Sequence, residues 1–109
     1  MVKVLVTDPI HESAITKLRE RGFEVDVKLG LGKEELKRTV GDYDVIVVRS
    51  RAKVDREVID EGKKLKLIAR AGVGLDNIDV EYAKSKGIDV INTPEGPTRS
   101  VAELVIGYI

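Results

Sequence analysis

Val45-Ile46-Val47-Val48 is an uninterrupted apolar run, and it constrains the fold more than any other feature of the chain. A strand with one wet face alternates apolar and polar residues, whereas a run of this kind belongs to a parallel strand covered on both faces. Helices must supply the two covers, so the run argues for an α/β layer structure with Val45–Val48 placed centrally. A second stretch, Leu65 to Asn77, says where such a sheet would do its work. Leu67, Ile68 and Ala69 again run together, and then Ala71-Gly72-Val73-Gly74 has almost no side-chain bulk. Backbone N–H groups in a turn of that kind can be approached closely and can hold an anion. Open α/β sheets bind ligands at the carboxyl ends of their strands, and a strand opening into a glycine turn marks that edge.

The remaining chain fits the same pattern. Val2 to Thr7 reads as a first strand, with Asp8-Pro9 as a helix cap and first-turn proline. Ile10, Ala14, Ile15 and Leu18 fall on one helical face, and Gly22 sits where a left-handed C-cap belongs. Val25–Leu29 is a second strand, and Lys33–Val40 a second helix ended by Gly41. After the central strand, Asp55 caps a short helix that carries Val58 and Ile59 and closes at Gly62. One of Asp76, Asn77 and Asp79 caps a fourth helix, read as Asp79–Lys86 and followed by Gly87 and a fifth strand, Ile88–Ile91. The order βαβαβαβαβ predicts a doubly wound, five-stranded parallel sheet with right-handed crossovers and strand order 2-1-3-4-5.

Residues 92–99 hold two prolines and a glycine and read as a hinge. Ser100 and Glu103 then form a capping box that starts another helix. From Val101 to Ile109 this helix is so apolar that it leaves no polar face, and it expects burial on all sides. The expected organisation is therefore a domain over 1–99 and a helix stub over 100–109.

Composition narrows the function. The 109 residues carry 19 basic and 19 acidic side chains, a formal net charge of zero, so nothing points to nucleic acid or an anionic membrane as partner. There is no cysteine, hence no disulfide or thiolate chemistry, and the single His11 cannot build a zinc site without carboxylates. No apolar run approaches the ~20 residues of a membrane span, and no secretory leader opens the sequence, so a cytoplasmic setting is expected. Abundant Lys, Arg and Glu with no Gln fit a thermophilic source.

In a parallel sheet the residues just after each strand share one edge, which here gathers Asp8, Arg49, Ser50, Ala71 to Gly74 and Asn92. Arg49 offers a planar fork of donors suited to carboxylate or phosphate, while Ser50, the turn N–H groups and Asn92 offer neutral donors. Arg51 and Lys53 add positive charge nearby. The edge thus predicts a site for a small organic anion, although an Arg after a strand, taken alone, is more often a surface ion pair. Two other motifs fail. Gly72-Val-Gly74 opens like a dinucleotide fingerprint, but Asn77 replaces its third glycine, Asn92 stands where the ribose-binding acid belongs, and Asp76 would repel a pyrophosphate. A phospho-acceptor receiver needs an acid at the end of the central strand, where Arg49 stands. His11 has no partner within reach by sequence and reads as a partly exposed residue of the first helical turn.

The stretches VRSRAKV (48–54), LKLIARAGVGLDNIDVEYAKSKGIDVINTP (65–94) and SVAEL (100–104) resemble the amino-terminal part of D-2-hydroxyacid dehydrogenases, most closely those acting on 3-phosphoglycerate. The resemblance spans nearly the whole chain. It implies a flavodoxin-like substrate-binding domain of an NAD-dependent oxidoreductase that converts 3-phosphoglycerate to 3-phosphohydroxypyruvate in serine biosynthesis. By motif position, it implies that Arg49 and Ser50 help hold the substrate phosphate and that the Gly72, Val73 and Gly74 turn holds the carboxylate. Asn92 would line the same pocket, and Val73 would touch the nicotinamide of NAD. The family's nucleotide fingerprint, catalytic arginine, Glu–His relay and returning carboxy-terminal segment would all lie beyond Ile109. No catalytic residue and no bound cofactor is therefore expected in this chain, which alone should be inactive. The alternatives are a stand-alone small-anion-binding module and an engineered fold fragment that binds nothing. The helix over 100–109 is expected either to self-associate or to fold back over the sheet.

Overall fold

The structure, a computed structural model, describes residues 2–72, 76–92 and 99–108. Five strands, β1 (Lys3–Val6), β2 (Glu24–Val27), β3 (Val45–Val48), β4 (Leu67–Arg70) and β5 (Asp89–Asn92), form one sheet in the order β2-β1-β3-β4-β5. Every pair is parallel, and Val48, Arg70 and Asn92 stand in register at the carboxyl ends of β3, β4 and β5. Helices α1 (Glu12–Glu20), α2 (Lys33–Thr39), α3 (Arg56–Glu61), α4 (Val80–Ser85) and α5 (Arg99–Tyr108) make the crossovers and the last element.

The central run now has its physical explanation. Val45 and Val47 point into a core with Val4, Val6, Ala14, Leu18 and Leu67, under α1 and α5. Ile46 and Val48 point the other way, into a core with Leu36, Val58, Ile59, Ile68 and Ala83, under α2, α3 and α4. All of β3 is fully buried, so both strand parities must be apolar. At about 1.5–3 kcal/mol per fully buried Val, Leu or Ile, these two layers supply the main driving force for folding.

Local caps follow the sequence closely, with one correction. Asp55 accepts from the Val58 N–H at 3.2 Å, and Asp79 accepts from the Tyr82 N–H at 3.2 Å, opening α3 and α4. Asp8 and Pro9, however, do not open α1. That helix begins four residues later than Asp8, at Glu12, with His11 as its N-cap accepting from the Ser13 N–H at 3.1 Å. The Asp8 carboxylate is drawn to the loop after β3 instead, where several N–H groups need an acceptor.

The last helix folds back over the sheet, one of its two expected outcomes, but it does not lack an outer face. Val101, Ala102 and Val105 are buried against the sheet beside α1, while Glu103, Leu104 and Tyr108 remain exposed. Its buried positions at i, i+1 and i+4 make a single stripe, so the helix has an outer face after all. Lys17 of α1 meets Glu103 at 3.4 Å, and the Tyr108 hydroxyl donates to Asp89. The expected hinge falls mostly on residues 93–98, which lie outside the described residues. Among the described residues no helix is long and apolar enough to cross a membrane.

Candidate functional site

At the carboxyl edge, β1 and β3 run side by side, and the ladder continues one step beyond them through Thr7 N–H to Val47 O at 3.1 Å. The next residue, Asp8, is 1% exposed. A carboxylate removed from water must be matched by donors, and three converge on it. The Arg49 and Ala52 N–H groups donate to Oδ2 at 2.7 and 3.1 Å, and Arg51 Nε donates to Oδ1 at 3.1 Å. Asp8 thereby shapes the irregular segment that leaves β3.

The opposite side of that segment is held from the end of β4 and from the β4–α4 connection. Asn77 Nδ2 donates to Arg49 O and to Ala52 O, each at 2.6 Å. Arg70 Nε reaches Arg49 O at 3.4 Å, and the Ala71 N–H donates to Val48 O at 2.9 Å. Between these walls lies an open cleft of about 540 Å³ lined by Arg49, Ser50, Arg70, Ala71, Gly72, Asp76 and Asn77. Gly72 has φ +144°, a backbone conformation open to glycine and rarely to L side chains.

The cleft is electropositive. Arg49 Nη1 donates to Pro9 O at 3.2 Å and Arg70 donates to Arg49 O, so both guanidiniums are engaged by neutral carbonyls. Neither takes part in a salt bridge among the described residues, which leaves two positive charges facing the single carboxylate of Asp76. Planar forks of this kind suit a carboxylate or phosphate.

Of the residues expected at this edge, Arg49, Ser50, Ala71 and Gly72 come together on the cleft. Asn92 ends β5, one strand beyond Arg70, and is not among the cleft-lining residues. Val73 and Gly74 lie outside the described residues. Arg51 is turned away toward Asp8 and Leu31 O, and with Lys53 it lines a second cleft of about 450 Å³ beside Lys33, Leu36 and Asp55. That neighbourhood is an ion-pair network. Lys33 Nζ lies 2.6 Å from Glu57 and 3.1 Å from Asp55. Hydrogen bonds to Glu57 and Asp55 raise the Lys33 pKa, and the bond from Lys33 lowers that of Glu57. Burial pushes Asp55 upward, but the Lys33 bond and the Val58 N–H outweigh it and leave its pKa lowered.

Sequence reasoning missed Arg70, Asp76 and Asn77 as cleft residues. A charged residue closing the apolar run Leu67-Ile68-Ala69 was the available signal for Arg70. Asp76 and Asn77 were read as candidate caps, a role that Asp79 fills, and as residues that spoil a dinucleotide fingerprint. Among the described residues no three His, Cys, Asp or Glu side chains gather to hold a metal ion.

A doubly wound parallel sheet with two arginines lining a cleft at its carboxyl edge defines an α/β domain of the flavodoxin-like kind. Residues 4–106 match the model of the D-isomer specific 2-hydroxyacid dehydrogenase catalytic domain, and the chain belongs to that family. It is 60% identical over 109 residues to D-3-phosphoglycerate dehydrogenase of Methanocaldococcus jannaschii, covering 100% of this chain and 21% of that protein. It is 50% identical to hydroxypyruvate reductase of Thermotoga maritima, covering 98% of this chain and 35% of that protein. Among solved structures, NAD+-bound 3-phosphoglycerate dehydrogenase of Entamoeba histolytica superimposes with a TM-score of 0.75 at 38% identity, over 84% of this chain and 32% of that one. The chain thus spans about a fifth of the length of the phosphoglycerate dehydrogenase of Methanocaldococcus jannaschii.

Proposed function

We propose that this chain is the substrate-holding part of an NAD-dependent D-3-phosphoglycerate dehydrogenase, and that its cleft grips the anionic ends of 3-phosphoglycerate during oxidation to 3-phosphohydroxypyruvate, a step of serine biosynthesis. One observation carries the reading: Arg49 and Arg70 converge on a single cleft at the sheet's carboxyl edge without an acidic partner among the described residues. The substrate in this reading carries a carboxylate and a phosphate, and two forks of donors match two anionic groups.

NAD enters as the hydride acceptor of the whole enzyme. The described residues of this chain do not fit it, since the cleft wall carries the Asp76 carboxylate and β5 ends in Asn92 rather than in an acid suited to a ribose. This chain's residues therefore bind and orient, and nothing more is asked of them. The absence of cysteine agrees with the cytoplasmic setting of such a reaction.

Calorimetric titration of the chain with 3-phosphoglycerate tests the reading. Arg49→Ala is expected to weaken binding by about 1.5–3 kcal/mol, the range for hydrogen bonds to charged groups. Equal affinity of the variant and the native chain would remove Arg49 from the site. The chain alone is expected to reduce no NAD with any 2-hydroxy acid.

A further inference from the structure

The Arg49–Ala52 segment is irregular chain, yet the backbone polar groups of its two end residues are met by two side chains from opposite sides. Asp8 takes the N–H groups of Arg49 and Ala52, and Asn77 donates one amide nitrogen to the carbonyls of the same two residues. These contacts span 41 and 44 residues on the Asp8 side and 28 and 25 on the Asn77 side, so they set tertiary position rather than local turn shape. The backbone supports the same junction: the Val54 N–H donates to Asn77 O at 2.8 Å, and the Asp79 N–H donates to Val54 O at 2.9 Å.

Asn77 is the informative half of this clamp. It lines the cleft itself, and its other contacts fix the carbonyl of Arg49 to which Arg70 also donates. The Arg70 guanidinium and the Asn77 amide thus meet on one oxygen, the backbone carbonyl of Arg49, which ties the Arg70 side chain to the segment that carries Arg49. An amide suits the position because two carbonyls must be met by donors, which a carboxylate of the same shape lacks.

We propose that Asn77 is a positioning residue that holds the Arg49–Ser50 wall at a set distance from the Arg70–Gly72 wall, and that selectivity for a doubly anionic acid over a singly anionic one depends on it. This rests on the reading of the cleft as a substrate site. Loosening the clamp lets one guanidinium still meet one anionic group, while the two can no longer be met together at their proper separation.

The test uses the 109-residue chain with Asn77→Ala, the isosteric Asn77→Asp, and Arg49→Ala. Affinities are measured for 3-phosphoglycerate and for D-glycerate, which lacks the phosphate, and amide hydrogen exchange is followed by NMR. Both Asn77 variants are expected to lower the phosphoglycerate-to-glycerate affinity ratio about tenfold, equivalent to about 1.4 kcal/mol. They should also speed exchange at the Arg49 and Ala52 amides while β3 stays protected. An Asn77→Asp chain that behaves as native would show that shape alone matters and overturn the proposal. So would a preserved affinity ratio, or exchange that rises uniformly through the sheet, since both describe a merely structural residue. If Arg49→Ala weakens binding and the Asn77 variants do not alter the ratio, the site stands and the positioning role falls. If the native chain binds neither acid, the substrate reading fails and this role fails with it.

Discussion

The two edges of the sheet are held together differently. At the amino edge a staircase of backbone hydrogen bonds crosses from strand to strand: Glu24 N–H to Val2 O, Asp44 N–H to Lys3 O, Lys66 N–H to Asp44 O and Asp89 N–H to Lys66 O, at 2.8 to 3.0 Å. The joints entering β2 and β5 turn through Gly22 and Gly87 at φ +91° and +79°. At the carboxyl edge the segment between β3 and α3 leaves the ladder, and side chains take over. Thr7 and Asp8, both at that edge, are the buried polar residues among those described. Backbone removed from a ladder still needs partners, and satisfying it with side chains allows an irregular wall to be rigid. That rigidity is what a binding cleft requires, whereas the amino edge needs only to close the fold.

Breaking one carboxylate at each edge exposes the contrast. Asp8 matches three donors while nearly fully buried, so Asp8→Ala strands two inner N–H groups and is expected to cost about 3 kcal/mol. Asp44 is only half-buried and accepts the Lys3 N–H at 2.9 Å, so Asp44→Ala should cost about 1 kcal/mol. Urea unfolding of the two variants measures the difference. Equal losses would mean that the two edges are supported alike.

A smaller effect concerns the ion-pair network on the far side of the loop. Asp55 and Glu57 have lowered folded-state pKa values, so their contribution to stability is present above their unfolded values and disappears as pH falls through the folded ones. The unfolded references are 3.8 and 4.5, which places the loss below about pH 4.5. Lys33, raised from 10.5, contributes in the opposite sense, its share being complete below that value and lost only in stronger alkali. These groups are exposed, and the effect should be slight and weakened by salt. Thermal melts of the native chain and Lys33→Met between pH 3 and 7 check it: the variant should show the shallower acid decline. Parallel curves would exclude the network.

The difference between the edges also explains what could be read from the amino-acid order. Elements whose causes are local were legible: the apolar run Val45–Val48, the caps Asp55 and Asp79, and the sheet order that follows from short right-handed crossovers. Arg49 and Ser50 were legible as cleft residues because they directly follow a strand. The role of Asp8 was not, because its partners lie more than 40 residues away and a cap at the next helix was the nearer use for its carboxylate. Asn77 was hidden for the same reason. The outer face of α5 was missed because Leu104 and Tyr108 count as apolar in any sequence pattern, yet they stand exposed in the fold.

On the function proposed above, the carboxyl-edge cleft rather than the second cleft beside Lys33 holds the anionic acid. This placement is tested most directly by mapping amide shifts in a two-dimensional NMR titration of the chain with 3-phosphoglycerate. Saturable shifts are expected at Arg49, Ser50, Arg70, Ala71, Gly72 and Asn77, with the amides of Glu24, Lys66 and Asp89 at the amino edge unmoved. Shifts centred on Lys33, Arg51 and Lys53 at the second cleft, or no saturable shifts at all, would contradict it.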